Sequence, residues 1–392
     1  MQVATGSIHV ARVLVFSFNP MLSIVHLPRP PRMLAYIRSR FRALDIDIDT
    51  VSEILACYGL KLTFHPKNLP NARRNRNLIV NTTNGKKILK LYRRDWQIST
   101  IDFEHSILTQ LATLNFPAPR LVTTLNGETH INLAGWNYSL FDFIEGTNYS
   151  SSFLLRVHRQ ILMRIAGKTM AHFHRHLEGF SPQGRHHLGF KNYKSGRHRD
   201  LTWHIEKVAD LKKKSYQLIG TERESDTVRT STINWLLQNS EYILAEIGRL
   251  DEILKNAQLP RLIIHGDFGL HNLIFQNMDQ ATPVDFELAR LEWRLSDLVS
   301  CLSRFRYSNG MADSESMQWF MEAYQEVYPL SPSEWQFFPQ VWQFYKTQGA
   351  VQYWNSYFET DGPTRKLLSA RDAMARANWA VNHPDRLLEL KR

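Results

Sequence analysis

The sequence predicts an α+β fold of two lobes, in which a small β-sheet with one helix precedes a larger, mainly helical lobe. Two β-type runs, 78–83 and 87–92, come early and are joined across Asn84-Gly85. After residue 150, most apolar residues recur at helical spacing. Between these helices, the segment 261–287 alternates short apolar runs with polar loops. Strands and helices that occur in separate blocks are typical of α+β proteins.

Residues 1–44 are expected to lie outside the fold. They contain six arginines, no lysine and no acidic residue. This composition is typical of an organellar targeting segment or a flexible tail, and it also fits a start codon assigned too far upstream. The fold is expected to start at Thr50-Val-Ser-Glu53, which has the pattern of a capping box. It predicts a helix that ends at Gly59 and turns its apolar side chains inward: Val51, Ile54, Leu55 and Tyr58.

The dipeptide Asn84-Gly85 predicts a β-hairpin, because both central residues of a tight hairpin turn favour positive φ. On the second strand, Lys90 lies among apolar neighbours, where an unpaired ammonium group would be costly. An anionic partner is therefore expected. The alternative is a strand lysine with a solvated tip, a description that suits Lys86 and Lys87 beside the turn better.

A helix is predicted over 100–114, and Pro117 and Pro119 end it. Glu104 lies beside its apolar stripe, where it can pair with Lys90. A lysine on a strand and a glutamate on the next helix form the ion pair that positions phosphates in protein kinases. The alternative is that Glu104 is a first-turn residue that interacts with the helix dipole.

The next β-type run, 136–144, leads into Glu145-Gly146. An apolar strand that ends in an acidic-Gly step fits a hinge between two lobes. The backbone of Asp142, Phe143 and Ile144 could then bond the edge of an adenine ring. The alternative is an ordinary strand end.

The remainder is predicted to be mainly helical. Residues 154–177 carry apolar side chains at three- and four-residue steps, and 181–232 is polar and basic, which predicts a loop-rich insert. Ser331-Pro-Ser-Glu334 is a second capping box. The aromatic-rich segment 319–358 predicts a helical core built from rings. The alternative is that two or three of these rings line an acceptor pocket.

Three oxygen-bearing side chains follow short strands in 261–287, namely Asp267, Asn272 and Asp285. Carboxylate and amide oxygens suit Mg²⁺ carried by nucleotide phosphates. Phosphoryl transfer needs one carboxylate to orient and deprotonate the attacking hydroxyl, and a carboxylate with an amide to hold the metal. The alternative is that all three are loop residues that make local hydrogen bonds.

Taken together, these motifs resemble the aminoglycoside phosphotransferase superfamily, which includes choline kinases, bacterial homoserine kinases and spore-coat proteins. The resemblance covers about residues 50–358 and is most specific over 265–298. The positions that carry it are Asn77, Lys90, Glu104, Phe116-Pro-Ala-Pro119, Gly146, Met170-Ala-His-Phe-His174, His265-Gly-Asp267, Asn272 and Asp285-Phe-Glu.

The resemblance implies a bilobal protein-kinase-like fold, with a nucleotide-binding lobe over 45–145 and a helical lobe over 146–392. It implies that Lys90 binds the α- and β-phosphates of ATP and that Glu104 orients Lys90. Asp267 is then the catalytic base, and Asn272 and Asp285 hold Mg²⁺. Asp297 matches a structural acidic position of the same family.

One departure from the family concerns the loop that covers the phosphates. This loop usually contains glycines, because its backbone must approach the phosphates closely. Residues 67–77 contain none. Arg73, Arg74 and Arg76 either bind phosphate through charge-assisted hydrogen bonds or form a solvated basic turn.

We therefore expect an ATP- and Mg²⁺-dependent enzyme that transfers a phosphate to a hydroxyl of a small molecule. The acceptor stays open between homoserine, choline-like amino alcohols, sugars and antibiotics. One alternative is a non-catalytic kinase-like protein of the spore-coat or scaffold type. The other is a nucleic-acid-binding protein, which the net charge of +11 invites.

The overall composition indicates which binding partners and which cellular compartment to expect. More than half of the charge of +11 comes from the arginines of the prefix, so no nucleic-acid partner is expected, and the positive balance argues gently against polycationic aminoglycosides. With only two cysteines, a reducing, cytoplasmic location is the expectation. No apolar run reaches membrane-spanning length, so no membrane partner is expected. The sequence leaves the oligomeric state open.

Overall fold

The structure is a computed structural model, which describes most of the chain from residue 46 onward. The described ranges are 46–69, 75–94, 96–149, 156–185, 200–221, 227–276, 278–305, 313–359 and 362–391. The expectation for residues 1–44 falls outside these ranges, as do Arg73 and Arg74 of the glycine-free loop.

The first described helix, α1 (Ile48–Cys57), begins two residues before the predicted capping box. Thr50 is therefore not its N-cap. Asp47 takes that role, because its Oδ1 accepts the backbone N–H of Thr50 at 2.6 Å. The inward face is as predicted, since Val51, Ile54, Leu55 and Tyr58 are buried. Gly59 follows the helix with a φ of +68°, which is typical of a left-handed C-terminal residue.

A six-stranded antiparallel sheet follows, in the order β1-β2-β3-β6-β4, with β5 paired to β6. The predicted hairpin joins β2 and β3, and Thr82 and Gly85 form its last pair. The central turn residues are therefore Thr83 and Asn84 rather than Asn84 and Gly85, and of the predicted two only Gly85 has a positive φ. The strands are β1 (Leu62–Asn68), β2 (Arg76–Thr82), β3 (Gly85–Leu91), β4 (Leu121–Val122), β5 (Ile131–Leu133) and β6 (Trp136–Asp142).

Helix α2 (Ile98–Thr113) lies between β3 and β4 in the chain. It starts two residues earlier than predicted, so its first turn contains no acidic residue and Glu104 falls in the second turn. Glu104 is only 4% exposed. Its interaction with the helix dipole as a first-turn residue is therefore excluded.

The rest of the chain is mainly helical, with two short antiparallel sheets in the segment that contains Asp267, Asn272 and Asp285. Strand β10 pairs with β7, and β8 pairs with β9. The helices are α3 (Arg156–His176), α4 (Leu201–Thr221), α5 (Thr227–Lys255), α6 (Arg294–Leu302), α7 (Ser314–Val327), α8 (Pro332–Glu359), α9 (Arg365–Asn382) and α10 (Pro384–Glu389). The strands are β7 (Arg261–Ile264), β8 (Leu273–Gln276), β9 (Gln280–Pro283) and β10 (Arg290–Trp293).

The loop-rich insert predicted for 181–232 is wrong over its second half. Helix α4 fills 201–221, and α5 begins at Thr227. Val208 and Leu211 are buried in the helical core. The apolar residues of this segment are sparse among lysines and other polar residues, and a single buried stripe is enough to hold such a helix on a neighbouring core.

The second capping box is confirmed, because the Ser331 backbone N–H donates to Glu334 at 2.9 Å and the Glu334 N–H donates to Ser331 Oγ at 3.2 Å. The aromatic segment also packs as a helical core, in which Phe338, Trp342 and Trp354 are buried. These elements confirm the predicted α+β class. None of the described helices combines the length and the apolar character that a membrane span requires.

Candidate active site

A buried carboxylate holds the loop that follows β7. Asp297, at the start of α6, accepts the backbone N–H groups of His265 at 2.7 Å and Gly266 at 2.9 Å. The His174 Nε2 atom lies 3.2 Å from the same carboxylate. Burial raises the pKa of Asp297, but the contacts with His174 and His265 outweigh it and hold this pKa below its usual range. Asp297 therefore fixes the backbone just before Asp267.

Gly266 allows this loop to pass close to the following strand segment. Its φ is +78°, and a Cβ atom at this position would lie 2.2 Å from the Leu288 carbonyl oxygen. Any side chain here would force the two segments apart. The glycine thus brings the backbone beside Asp267 against the segment that follows Asp285.

Asp267 is oriented from several sides. Arg304 Nη2 donates to Oδ1 at 2.5 Å, and Asn272 Nδ2 donates to Oδ2 at 3.2 Å. His271 Nε2 lies 3.4 Å from Oδ2. Burial raises the pKa of Asp267, but His271 and Arg304 outweigh it and hold this pKa well below its usual range. The carboxylate is therefore ionised at neutral pH.

The β8–β9 hairpin brings Asn272 and Asp285 together. Leu273 pairs with Pro283, and the Val284 N–H donates to the Asn272 carbonyl oxygen at 2.9 Å. The His265 Nε2 atom lies 3.1 Å from the Val284 carbonyl oxygen, so Val284 is held on both sides. Asp285 then adopts a left-handed conformation with a φ of 67°. A positive φ is uncommon outside glycine, so the surrounding contacts must hold the Asp285 backbone in this conformation.

The oxygen atoms of Asn272 and Asp285 fit a divalent cation. Asn272 donates through Nδ2 to Asp267, to its carbonyl oxygen at 3.0 Å and to Oδ2, so its own Oδ1 stays available. Asp285 is exposed, and no side-chain or backbone donor within the described ranges bonds its carboxylate. A carboxylate and an amide oxygen, both uncommitted, form a donor set suited to Mg²⁺.

Lys90 and Glu104 form a buried ion pair. Lys90 Nζ lies 2.7 Å and 2.9 Å from the two Glu104 oxygens, and the two side chains are 8% and 6% exposed. Burial lowers the pKa of Lys90, but Glu104, Asp285 and Glu287 outweigh it and raise this pKa above its usual value. Lys90 therefore stays charged, and its ammonium group lies within electrostatic range of Asp285.

The lysines beside the hairpin turn differ from each other. Lys86 is half exposed and pairs with Glu145 at 2.8 Å, as expected for a lysine with a solvated tip. Lys87 does not fit that description, because its side chain is only 11% exposed and pairs with Asp142 at 2.9 Å. The β3–β6 register places Lys87 directly opposite Asp142, and the sequence alone could not reveal that pairing.

The predicted hinge follows β6, and its backbone amides are not equivalent. The Asp142 N–H donates to the Arg120 carbonyl at 2.9 Å, and the Phe143 N–H donates to the Lys86 carbonyl at 3.4 Å. The N–H of Ile144 has no acceptor among the described residues. Ile144 is thus the hinge residue whose amide is open to a ligand.

Beyond the hinge, Gly146 and Asn148 tie this segment to the catalytic loop. Gly146 has a φ of +154°, and a Cβ atom there would lie 2.6 Å from the Phe275 carbonyl oxygen. Asn148 Nδ2 lies within hydrogen-bond distance of the carbonyl oxygens of Leu270 (2.9 Å), His271 (3.1 Å) and Leu273 (3.0 Å). The sequence prediction missed Asn148, because a polar residue in a loop gives no local signal of such a distant contact.

The glycine-free loop is anchored at its described end. Asn75 donates through Nδ2 to Glu287 at 2.7 Å, and its Oδ1 accepts the Arg93 N–H at 3.1 Å. Glu287 follows Asp285 by two residues, so Asn75 connects the sheet to the segment that contains Asp285. This side-chain bridge was also missed from the sequence.

The comparisons with known proteins identify the family and the fold of the chain. Residues 66–330 match the model of the phosphotransferase enzyme family, APH. The chain belongs to this family, whose members related to it here are kinase-type phosphotransferases of small molecules.

Among curated relatives, a homoserine kinase of Agrobacterium fabrum is 23% identical over 296 residues, which cover 75% of this chain and 81% of that protein. A homoserine kinase of Afipia carboxidovorans is 24% identical over 291 residues, which cover 74% of this chain and 78% of that protein. Both alignments span most of this chain and most of the homoserine kinase that is aligned with it.

Solved structures show the same fold. An aminopropanol kinase associated with a microcompartment aligns with a TM-score of 0.57 at 15% identity, covering 88% of this chain and 100% of that one. A Plasmodium vivax ethanolamine kinase aligns with a TM-score of 0.56 at 12% identity, and the alignment covers 90% of this chain and 96% of that one. A spectinomycin phosphotransferase, solved with ADP and spectinomycin, aligns with a TM-score of 0.55 at 14% identity. This alignment covers 89% of this chain and 98% of that one. The bilobal kinase-like fold is therefore confirmed.

Proposed function

We propose that this protein transfers the γ-phosphate of ATP to a hydroxyl group of a small molecule in a Mg²⁺-dependent reaction. The observation that carries the proposal is the convergence of Asp267, Asn272 and Asp285 with the buried Lys90–Glu104 pair. A catalytic carboxylate, a metal-binding pair and a fixed cation are the parts that phosphoryl transfer requires.

Asp267 is the general base in this proposal. Its carboxylate is ionised and anchored by Asn272, and it accepts the proton of the attacking hydroxyl group. Asn272 Oδ1 and the Asp285 carboxylate would hold Mg²⁺, which neutralises charge on the transferred phosphoryl group when it is bound. Glu104 fixes the Lys90 ammonium group, which binds the α- and β-phosphates.

The nucleotide is proposed to bind at the hinge between a lobe over 45–145 and a lobe over 146–392. The open N–H of Ile144 donates to the adenine edge, while Asp142 and Phe143 hold the hinge backbone in place.

Two measurements test the function. Calorimetric titration with AMP-PNP should show binding that tightens when Mg²⁺ is present. ADP release should be measured against a panel that includes homoserine, ethanolamine, an aminopropanol, choline, sugars and spectinomycin. Nucleotide binding without turnover of any hydroxyl compound would favour the non-catalytic alternative, and the absence of nucleotide binding would remove the proposal.

The ion pair predicts non-additive kinetics. Lys90→Ala and Glu104→Ala should each reduce turnover strongly, and the double variant should lose little more, because residues in direct contact act as one unit. The measurement is a double-mutant cycle on kcat/KM for ATP.

A matched control uses an exposed pair formed by Lys86, on β3, and Glu145, three residues after the end of β6. Their side chains are 50% and 74% exposed. Alanine at these positions should change turnover little, since exposed pairs contribute at most about 1 kcal/mol. Small, additive effects at Lys90 and Glu104 would refute the role of the buried pair.

A further inference from the structure

A buried lysine without an anionic partner lies near the candidate active site. Lys346, on α8, is only 9% exposed. Within the described part of the chain, its ammonium group has no hydrogen-bond or ion-pair partner. Nζ lies 5.2 Å from the centre of the Tyr345 ring, a weak substitute for a counterion. A buried amino group without a hydrogen-bond partner costs stability whether it is charged or neutral, so its presence points to a ligand.

The surroundings of Lys346 are cationic. Burial and the guanidinium groups of Arg304 and Arg376 hold the pKa of Lys346 well below its usual range. Arg376 donates to the Ser303 carbonyl at 2.9 Å, immediately before Arg304 in the chain, and it also pairs with Asp372. Its Nε is a buried donor with no acceptor among the described residues. The cluster therefore has donor capacity to spare, and an anion bound here would favour the charged form of Lys346.

This cluster connects to Asp267 through Arg304. Arg304 Nη2 donates to Asp267 Oδ1, and Arg304 Nη1 lies 3.1 Å from His271 Nε2. The charge of the same guanidinium group acts on Lys346, so Arg304 links the proposed base to the unpaired lysine.

We propose that Lys346 and Arg304 form an anion subsite of the acceptor pocket, which binds a carboxylate or phosphate group carried by the hydroxylated acceptor. The inference rests on the proposed phosphotransferase function and names the class of its acceptor. The planar guanidinium group of arginine and the ammonium group of lysine commonly bind such anions. The same positive charge disfavours polycationic acceptors.

Binding of the anionic group also has a consequence for Asp267. In the structure, Arg304 donates a hydrogen bond to Asp267 Oδ1, an oxygen that could otherwise accept the proton of the acceptor hydroxyl group. An anion on the subsite competes for the guanidinium group and leaves Oδ1 free to accept a proton. The base is thereby fully available only when an anionic acceptor is bound.

The first test uses matched acceptors with the wild-type protein. Homoserine and 3-aminopropan-1-ol differ only by the carboxylate, as do glycerate and ethylene glycol. The carboxylate-bearing member of any pair that is turned over should have the higher kcat/KM, by roughly tenfold or more, the scale of a hydrogen bond to a charged group. Equal values for the two members would overturn the inference while leaving the phosphotransferase function in place.

The second test is Lys346→Met, with Lys346→Arg as the conservative variant. Lys346→Met should raise KM for carboxylate-bearing acceptors and leave neutral acceptors unchanged, and Lys346→Arg should restore most of the affinity. The control is Lys213→Met, an exposed lysine on α4. An equal rise in KM for charged and neutral acceptors would indicate that Lys346 contacts the transferred phosphate instead, and it would refute the subsite.

The third test does not depend on turnover. Orthophosphate and malate, at constant ionic strength and with AMP-PNP and Mg²⁺ present, should raise the Tm of the wild-type protein but not that of Lys346→Met. Without ligand, Lys346→Met should melt no lower than wild type, because it removes an unpaired buried ammonium group. A wild-type Tm insensitive to both anions would refute the subsite. An anion-dependent Tm without turnover of any acceptor would refute the phosphotransferase function and retain the anion site.

Discussion

Asp267→Asn should lower kcat by at least ~100-fold, the usual scale for a positioned general base, while nucleotide affinity stays nearly unchanged. The amide keeps the shape of the carboxylate but cannot accept the proton of the attacking hydroxyl group. Asn272 donates to one oxygen of Asp267 and Arg304 donates to the other. The amide has a single acceptor oxygen, so it keeps one of these two contacts, and AMP-PNP binding reports whether the site stays intact. The measurement is ADP release at saturating acceptor, with calorimetry of AMP-PNP binding.

Asp279→Asn is the matched control. Asp279 is exposed at the turn of the β8–β9 hairpin, only a few residues from the metal-binding segment. This variant should keep wild-type turnover. Near-normal turnover of Asp267→Asn would show that Asp267 is not the base.

Asp285→Ala should abolish the Mg²⁺-dependent part of nucleotide binding, because this carboxylate is proposed as the main protein ligand of the metal. Asn272→Ala should weaken the Mg²⁺ dependence less, since a neutral amide carries less charge. The measurement is calorimetric titration of AMP-PNP at a series of Mg²⁺ concentrations.

Asp285→Asn separates the loss of charge from the loss of backbone geometry. The residue has a φ of 67°, a conformation that asparagine and aspartate tolerate better than alanine does. Asp285→Asn should therefore fold normally and still lose most of the Mg²⁺ dependence. If Asp285→Asn and Asn272→Ala both bind nucleotide with the wild-type Mg²⁺ dependence, the two residues only support the loop.

Local chemistry made several elements predictable from the sequence. Gly85, which has a positive φ, marks the hairpin, although the central turn residues are Thr83 and Asn84. Ser331 and Glu334 specify the helix start that follows them. Each signal lies within a few residues of the structure it encodes, so no distant contact is needed to interpret it. The inward face of α1 could be predicted for the same reason. The start of α1 could not, because Asp47 rather than Thr50 is the N-cap residue.

Elements that depend on a distant partner were harder to predict. Helix α4 shows only a sparse apolar pattern, and its burial depends on the core against which Val208 and Leu211 pack. Lys87 looks like a solvated turn lysine until the β3–β6 register brings Asp142 opposite to it. In both cases tertiary contacts overrode the local pattern.

The sequence by itself determined the fold class and the residue types of the site, because hydrophobic periodicity, turn residues and the order of Lys90, Glu104, Asp267, Asn272 and Asp285 are properties of the chain. The tertiary structure decided which side chains meet. It placed Arg304 on Asp267 and Asn75 on Glu287, across separations of 37 and 212 residues. It also buried Lys346 without a counterion. Contacts of this kind depend on how helices and strands pack, and a side chain far away in the chain gives no local sign of them.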